Sequence, residues 1–141
     1  MQEYLFRGKS ILADSPKSKG PWLYGNLIIQ TLTQYGEPVK VYHIVNRELN
    51  GEIEMNEYTE VWPETVGQYT GMDDISGVKV FTDDIIKYAL NGPYSGPDYR
   101  LTKVGPVIFS EYCFMPLTFC IPESVIIIGN IHDNPELRIK K

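Results

Sequence analysis

The stretch VGQYTGMDDISGVKVFTDDIIKYAL, Val66 to Leu90, decides the fold class. Val66 to Thr70 is dense in residues that suit a pleated surface and predicts a strand, with Gly71 as a breaker. Asp73 to Gly77 is a polar loop and Val78 to Phe81 a short strand. Thr82-Asp83-Asp84 is a tight turn into the apolar run Ile85-Ile86-Lys87-Tyr88. No segment longer than about ten residues carries helical periodicity, so the reading is β rather than α.

The same text continues outward in both directions. Towards the C-terminus, NGPYSGPD (91–98) reads as a flexible connector, and YRLTKV, PVIFSEYCF and SVIIIGNI follow as short strands. Several short strands so closely spaced suit a small barrel. Towards the N-terminus, EIEMNEYTEVW alternates Ile53 and Met55 with acidic residues, which predicts one wet face. It follows Asn50-Gly51, a strong hairpin-turn signal. VKVYHIV (Val39 to Val45) and WLYGNLIIQTL from Trp22 are further strands, with Gly25 read as a bulge. Ahead of them stand a short apolar run, Tyr4 to Phe6, and KSILADSPKSKGP, read as a surface loop. Pro63 ends the first group of strands, which sets a soft boundary: 1–64 as a β-rich segment and 65–141 as a barrel domain.

Composition agrees with a globular chain. Of 141 residues, 43% are hydrophobic and 22% charged, which excludes a wholly disordered or fibrous protein. The longest apolar run, Val125 to Ile128, is far short of the roughly 20 residues of a membrane-spanning helix. The first residues lack the apolar core of a secretory signal, so the expected location is the cytosol. Charge is uneven: residues 1–47 hold six Lys/Arg against three Asp/Glu, 48–98 hold two against eleven, and 99–141 hold five against four. An acidic middle argues against a broad phosphate-tracking surface and permits head-to-tail contact between copies. The two cysteines, Cys113 and Cys120, do not make a disulfide framework and are read as buried thiols.

YLFRGK (Tyr4 to Lys9), WLYG (Trp22 to Gly25), VWPETVGQYTGMDD (Val61 to Asp74) and IIGNIHDNPEL (Ile127 to Leu137) resemble the YopX-like family of phage and prophage proteins. The resemblance spans nearly the whole chain. It implies a C-terminal SH3-like small β-barrel behind an N-terminal β-rich segment, a phage or prophage origin, and no known activity. Asp83 stands where the family has a turn glycine, and Asp is among the few residues that tolerate positive φ.

The residues themselves offer little chemistry. Gly8-Lys9-Ser10 lacks the glycine a phosphate loop needs five positions earlier, where Glu3 stands, and reads as a turn after an edge strand. Asp73, Asp74, Asp83 and Asp84 lack calcium-loop spacing and sit where turns want Asp. His43 and His132 have no partner at metal-ligand spacing. Cys113 has no neighbouring base, and no nucleophile elbow exists. The closing GNIHDNPEL reads as structural punctuation: Asn130 and Asn134 as polar caps, Pro135 opening a short helical turn, Leu137 packing back.

The expectation is therefore a mainly β, non-enzymatic accessory protein that binds a protein partner or itself. Neither a cofactor nor a metal is implied. The partners would be a second copy or an unidentified host or phage protein, without membrane. The alternative is a weak single-stranded nucleic-acid binder using the barrel face and the Lys17–Lys19 loop. Candidate partner-binding residues are Trp22, Tyr24, Gln68, Tyr69, Asp84, Asn130 and Asn134.

Overall fold

A computed structural model describes residues 4–11, 19–47, 53–92, 96–110, 113–118 and 120–139. The chain divides into two compact units, Met1–Gln68 and Tyr69–Lys141. The described residues are mainly β with antiparallel pairing, short 3-10 turns and no α-helix.

The first unit is built on β1 (Phe6–Ile11), β2 (Lys19–Gln34), β3 (Glu37–Arg47) and β4 (Ile53–Glu60). β2 and β3 stay in register for ten consecutive pairs, from Gly25↔Asn46 to Gln34↔Glu37. They close on a two-residue turn in which Tyr35 and Gly36 have φ of 52° and 80°. Positive φ at both positions is the type I′ geometry, whose twist matches that of the flanking strands. β1 pairs with β2 as far as Gly25, and β4 pairs with β3 as far as His43. The chain leaving β4 then returns along β1: Val61 N–H donates to Tyr42 O, Trp62 N–H to Lys9 O, and Val61 bridges Ser10. Gly67 and Gln68, which open β5 (Gly67–Asp73), pair with Arg7 and Phe6.

Two contacts explain why β1 lies so close to Val61. A Cβ on Gly8 would stand 3.0 Å from the Val61 side chain, closer than side chains ordinarily approach, so glycine eases the contact there. Thr65, 1% exposed, donates from Oγ1 to Trp62 O and accepts from Lys9 N–H, which pins the Pro63–Thr65 turn to β1. Leu5, Ile44 and Val61 are the buried apolar side chains of this unit among the described residues.

The second unit holds the remainder of β5 with β6 (Lys79–Phe81), then β7 (Asp84–Gly92), β8 (Gly96–Pro106), β9 (Ile108–Ser110), β10 (Cys113–Met115) and β11 (Ile126–Asn130). β11, β7 and β8 form one sheet, and β9 pairs with β10. Val80, Ile86, Val107, Leu117, Cys120 and Val125 are its core. Single backbone bonds stitch the ladders together, among them Ile75 N–H to Val125 O, Asp83 N–H to Val107 O and Ile121 N–H to Ala89 O. Among the described residues these pairings do not close into a complete barrel.

Several expectations need correction. Lys9, Ser10 and Ile11 belong to β1, and β2 begins at Lys19, so Gly8-Lys9-Ser10 is strand rather than turn. Polar residues are tolerated there because the strand's partners cover them: Ser10 is 5% exposed. Gly25 is not a bulge, since it pairs with both Phe6 and Asn46; the irregularity falls between Lys9 and Ile11. Gly71 does not break β5. It is carried through at φ 87° within a register shift between Tyr69 and Asp73. Asn91, Gly92 and Gly96 to Asp98 are paired hairpin residues rather than connector. Cys113 is half-buried, and only Cys120 is buried. Asn50-Gly51 and Lys17 lie outside the described residues.

Candidate functional site

The seven candidate residues do not assemble into one site. In the second unit they work internally. Tyr69 is 6% exposed, packs on Phe81 and donates its hydroxyl to Asp73 Oδ1. Asp84 is 2% exposed and accepts from Phe81 N–H at 2.8 Å. Asn130 Oδ1 accepts from the N–H groups of His132 and Asp133, and Asn134 Oδ1 accepts from Asn130 N–H. The Pro135–Ile139 turn follows. A Cβ on Gly129 would stand 2.5 Å from Asn134 Oδ1 and 3.0 Å from Leu137 Cδ1, so this glycine lets the closing turn fold back. Asp83 takes φ 74° and meets His132 Nε2 at 2.9 Å through Oδ2. Gln68, in the first unit, is half-buried and paired opposite Phe6.

Trp22 and Tyr24 lie on β2 opposite β1. β1–β2 register sets Arg7 opposite Tyr24 and Lys9 opposite Trp22, so all four side chains share one face. Arg7 Cζ is 4.4 Å and Lys9 Nζ 5.3 Å from the centre of the Trp22 ring. Lys19 Nζ stands 6.0 Å over Trp62 and 3.9 Å from Glu64. Arg7 is 5% exposed, so the cluster is partly an internal cation–aromatic stack.

The larger surface is one the sequence reading did not single out. From Gln30↔Val41 to Gln34↔Glu37 the β2–β3 ribbon has two strands and, among the described residues, no third. Every residue from Ile28 to Lys40 is exposed. Ile28 (38%), Ile29 (50%), Leu32 (50%), Val39 (37%) and Tyr35 (100%) carry most of its apolar surface. The signal that could have found it is Tyr35-Gly36, a two-residue turn between two long β-prone runs.

A groove of about 260 Å³ in the second unit is lined by Ile75, Tyr88, Ala89, Thr102 and Ile126, with Lys87 and Glu123 beside it. Burial pushes the Tyr88 hydroxyl and the Cys120 thiol up from their ordinary values, and the Cys120 charge adds to the shift of Tyr88. Cys120 is buried within the core of the second unit. Among the described residues no three His, Cys, Asp or Glu side chains stand together as a metal would require. No helix there is long and apolar enough to cross a membrane.

The described residues thus form two antiparallel β units, the first with an exposed two-stranded arm and the second with turns held by carboxylates. The chain belongs to the YopX family: the family model, described as YopX protein, matches residues 25–138. No curated protein matches the chain. Among solved structures, it is similar to the crystal structure of protein EF1440 from Enterococcus faecalis, at 22% identity over 97% of this chain and 99% of that one, with a TM-score of 0.46.

Proposed function

We propose that this protein is a non-enzymatic, protein-binding β module of phage or prophage origin, working in the host cytosol through the β2–β3 arm. The observation that carries the reading is the arm itself. Ile28, Leu32 and Val39 are exposed on one of its faces and Ile29 on the other, and exposed apolar side chains beside an open strand edge suit a surface that another chain covers. A two-stranded ribbon is marginal alone and gains order from what covers it. The second unit, on this reading, is an SH3-type barrel whose ladders are joined by the single bonds at Ile75, Asp83 and Ile121.

The test is a double variant, Ile29→Ser with Leu32→Ser, compared with the wild type for size in solution and for retention of any co-purifying protein. The expected result is an intact fold and loss of association. An arm variant that associates as the wild type does would remove the proposal.

Single-stranded nucleic-acid binding is the second reading, favoured by Lys9 and Lys19 over tryptophan rings. It expects salt-dependent retention on single-stranded DNA. Lys9→Gln or Lys19→Gln should each lower the salt slope by about one phosphate contact.

A further inference from the structure

Within that reading of the arm, we infer that its occupant is a second copy of this chain, and that the two copies join by antiparallel pairing of their β2 edges about a two-fold axis near Thr31. The inference rests on the arm being the binding element and adds which edge binds and to what.

The direction of the backbone groups identifies the edge. In a two-residue hairpin the residues flanking the turn, here Gln34 and Glu37, exchange both their hydrogen bonds, and the pattern alternates from there. On β2 the N–H and C=O groups of Ile29, Thr31 and Thr33 therefore point away from β3. On β3 those of Pro38, Lys40 and Tyr42 point away from β2. Two features agree with this phase: Pro38, which has no N–H, falls on an outward position, and Tyr42 O accepts from Val61 N–H.

The two edges differ in how well they are defended. The β3 edge has no donor at Pro38, a charge at Lys40 and an occupied carbonyl at Tyr42. Proline and lysine are the residues that blunt a strand edge. The β2 edge has none of these. Among the described residues, no bond reaches its outward groups at Ile29, Thr31 and Thr33. LIIQTLTQYG, Leu27 to Gly36, carries no charge, no proline and a high content of β-branched residues.

Charge favours a like partner. Each chain has a formal net charge of −5, so most surfaces of two copies repel, whereas this uncharged edge allows close approach. Beside that edge Ile28 and Leu32 are exposed on one face of β2 and Ile29 on the other, and a second β2 strand would give them cross-strand neighbours. With the axis near Thr31, Thr31 faces its own counterpart and Ile29 faces Thr33 of the other copy. The result is a four-stranded antiparallel sheet, an isologous contact that closes on itself.

The experiment compares three full-length proteins by light scattering over a concentration series: wild type, Thr31→Pro and Lys40→Pro. Thr31 and Lys40 sit directly opposite each other on outward-facing positions, so proline should perturb the hairpin similarly at both. The expected result is a wild-type mass twice the chain's 16.1 kDa. Thr31→Pro should raise the dissociation constant at least about tenfold, and Lys40→Pro should leave it unchanged. Amide exchange should protect Ile29, Thr31 and Thr33 in the dimer and leave Lys40 fast. Equal loss of the dimer in both proline variants would overturn the edge assignment while sparing the arm. So would a dimer that survives Thr31→Pro and fails in the Ile29→Ser/Leu32→Ser double variant. A dimer surviving all of these substitutions would remove both readings. A wild type at the single-chain mass throughout would overturn the second-copy inference alone, leaving the arm to its test against co-purifying proteins.

Discussion

The arm of the first unit and the turns of the second use their residues in opposite ways. Ile28, Ile29 and Leu32 are apolar and stand in water, while Asp74 and Asp84 are polar and stand in protein. Asp74 accepts from Ser76 and Val78 N–H through Oδ1 and from Ile127 N–H through Oδ2. The carboxylates that invite a chemical reading thus hold backbone, because buried N–H groups must find acceptors. The aliphatic residues of the arm stand in water instead, which is why the proposed function is placed there.

The largest expected effect breaks the polar side of that contrast. Asp84→Ala removes an acceptor that is 2% exposed and leaves Phe81 N–H without it. The loss should be about 3 kcal/mol, read as a lower denaturation midpoint. An unchanged midpoint would mean the carboxylate is not structural. Gly129→Ala comes next, since the added methyl meets Asn134 Oδ1 and Leu137 at or under 3.0 Å. Displacing the closing turn should cost about 2 kcal/mol, measured the same way. Leu32→Ser is the smallest in stability. Half its surface is already in water, so the monomer should lose no more than about 0.5 kcal/mol. A loss several times larger would show that the arm packs inside its own chain.

Much of the fold is legible in the sequence. Val39 to Val45 lies within β3 and Ile126 to Asn130 forms β11, because runs of β-branched residues leave few alternatives. Asp83 takes the positive φ its place in the family's turn implied. Asn130, Asn134 and Pro135 act as the closing turn's sequence chemistry suggests, though Leu137 is only half-buried. Other features are not local. Gly71 looks like a breaker because its φ is unusual, yet a bulge lets the strand continue, and that depends on β6 across the ladder. Lys9 and Ser10 look like loop residues until Val61 and Thr65 are brought beside them from more than fifty positions away. The arm is hidden for the same reason. Hydrophobic alternation shows which side chains share a face, but whether a third strand pairs with that stretch of ribbon is set by where β1 and β4 stop.

The three-way contact at Asp74 also orders events in time. Ser76 and Val78 are near neighbours in the chain, and their N–H groups can reach the carboxylate within the microseconds in which short turns form. Ile127 is 53 positions further on. A ribosome adding roughly 5–20 residues per second delivers it seconds later. Through that interval the Asp74 turn has all it needs to close locally, while the acceptor that Ile127 uses has no partner until β11 arrives.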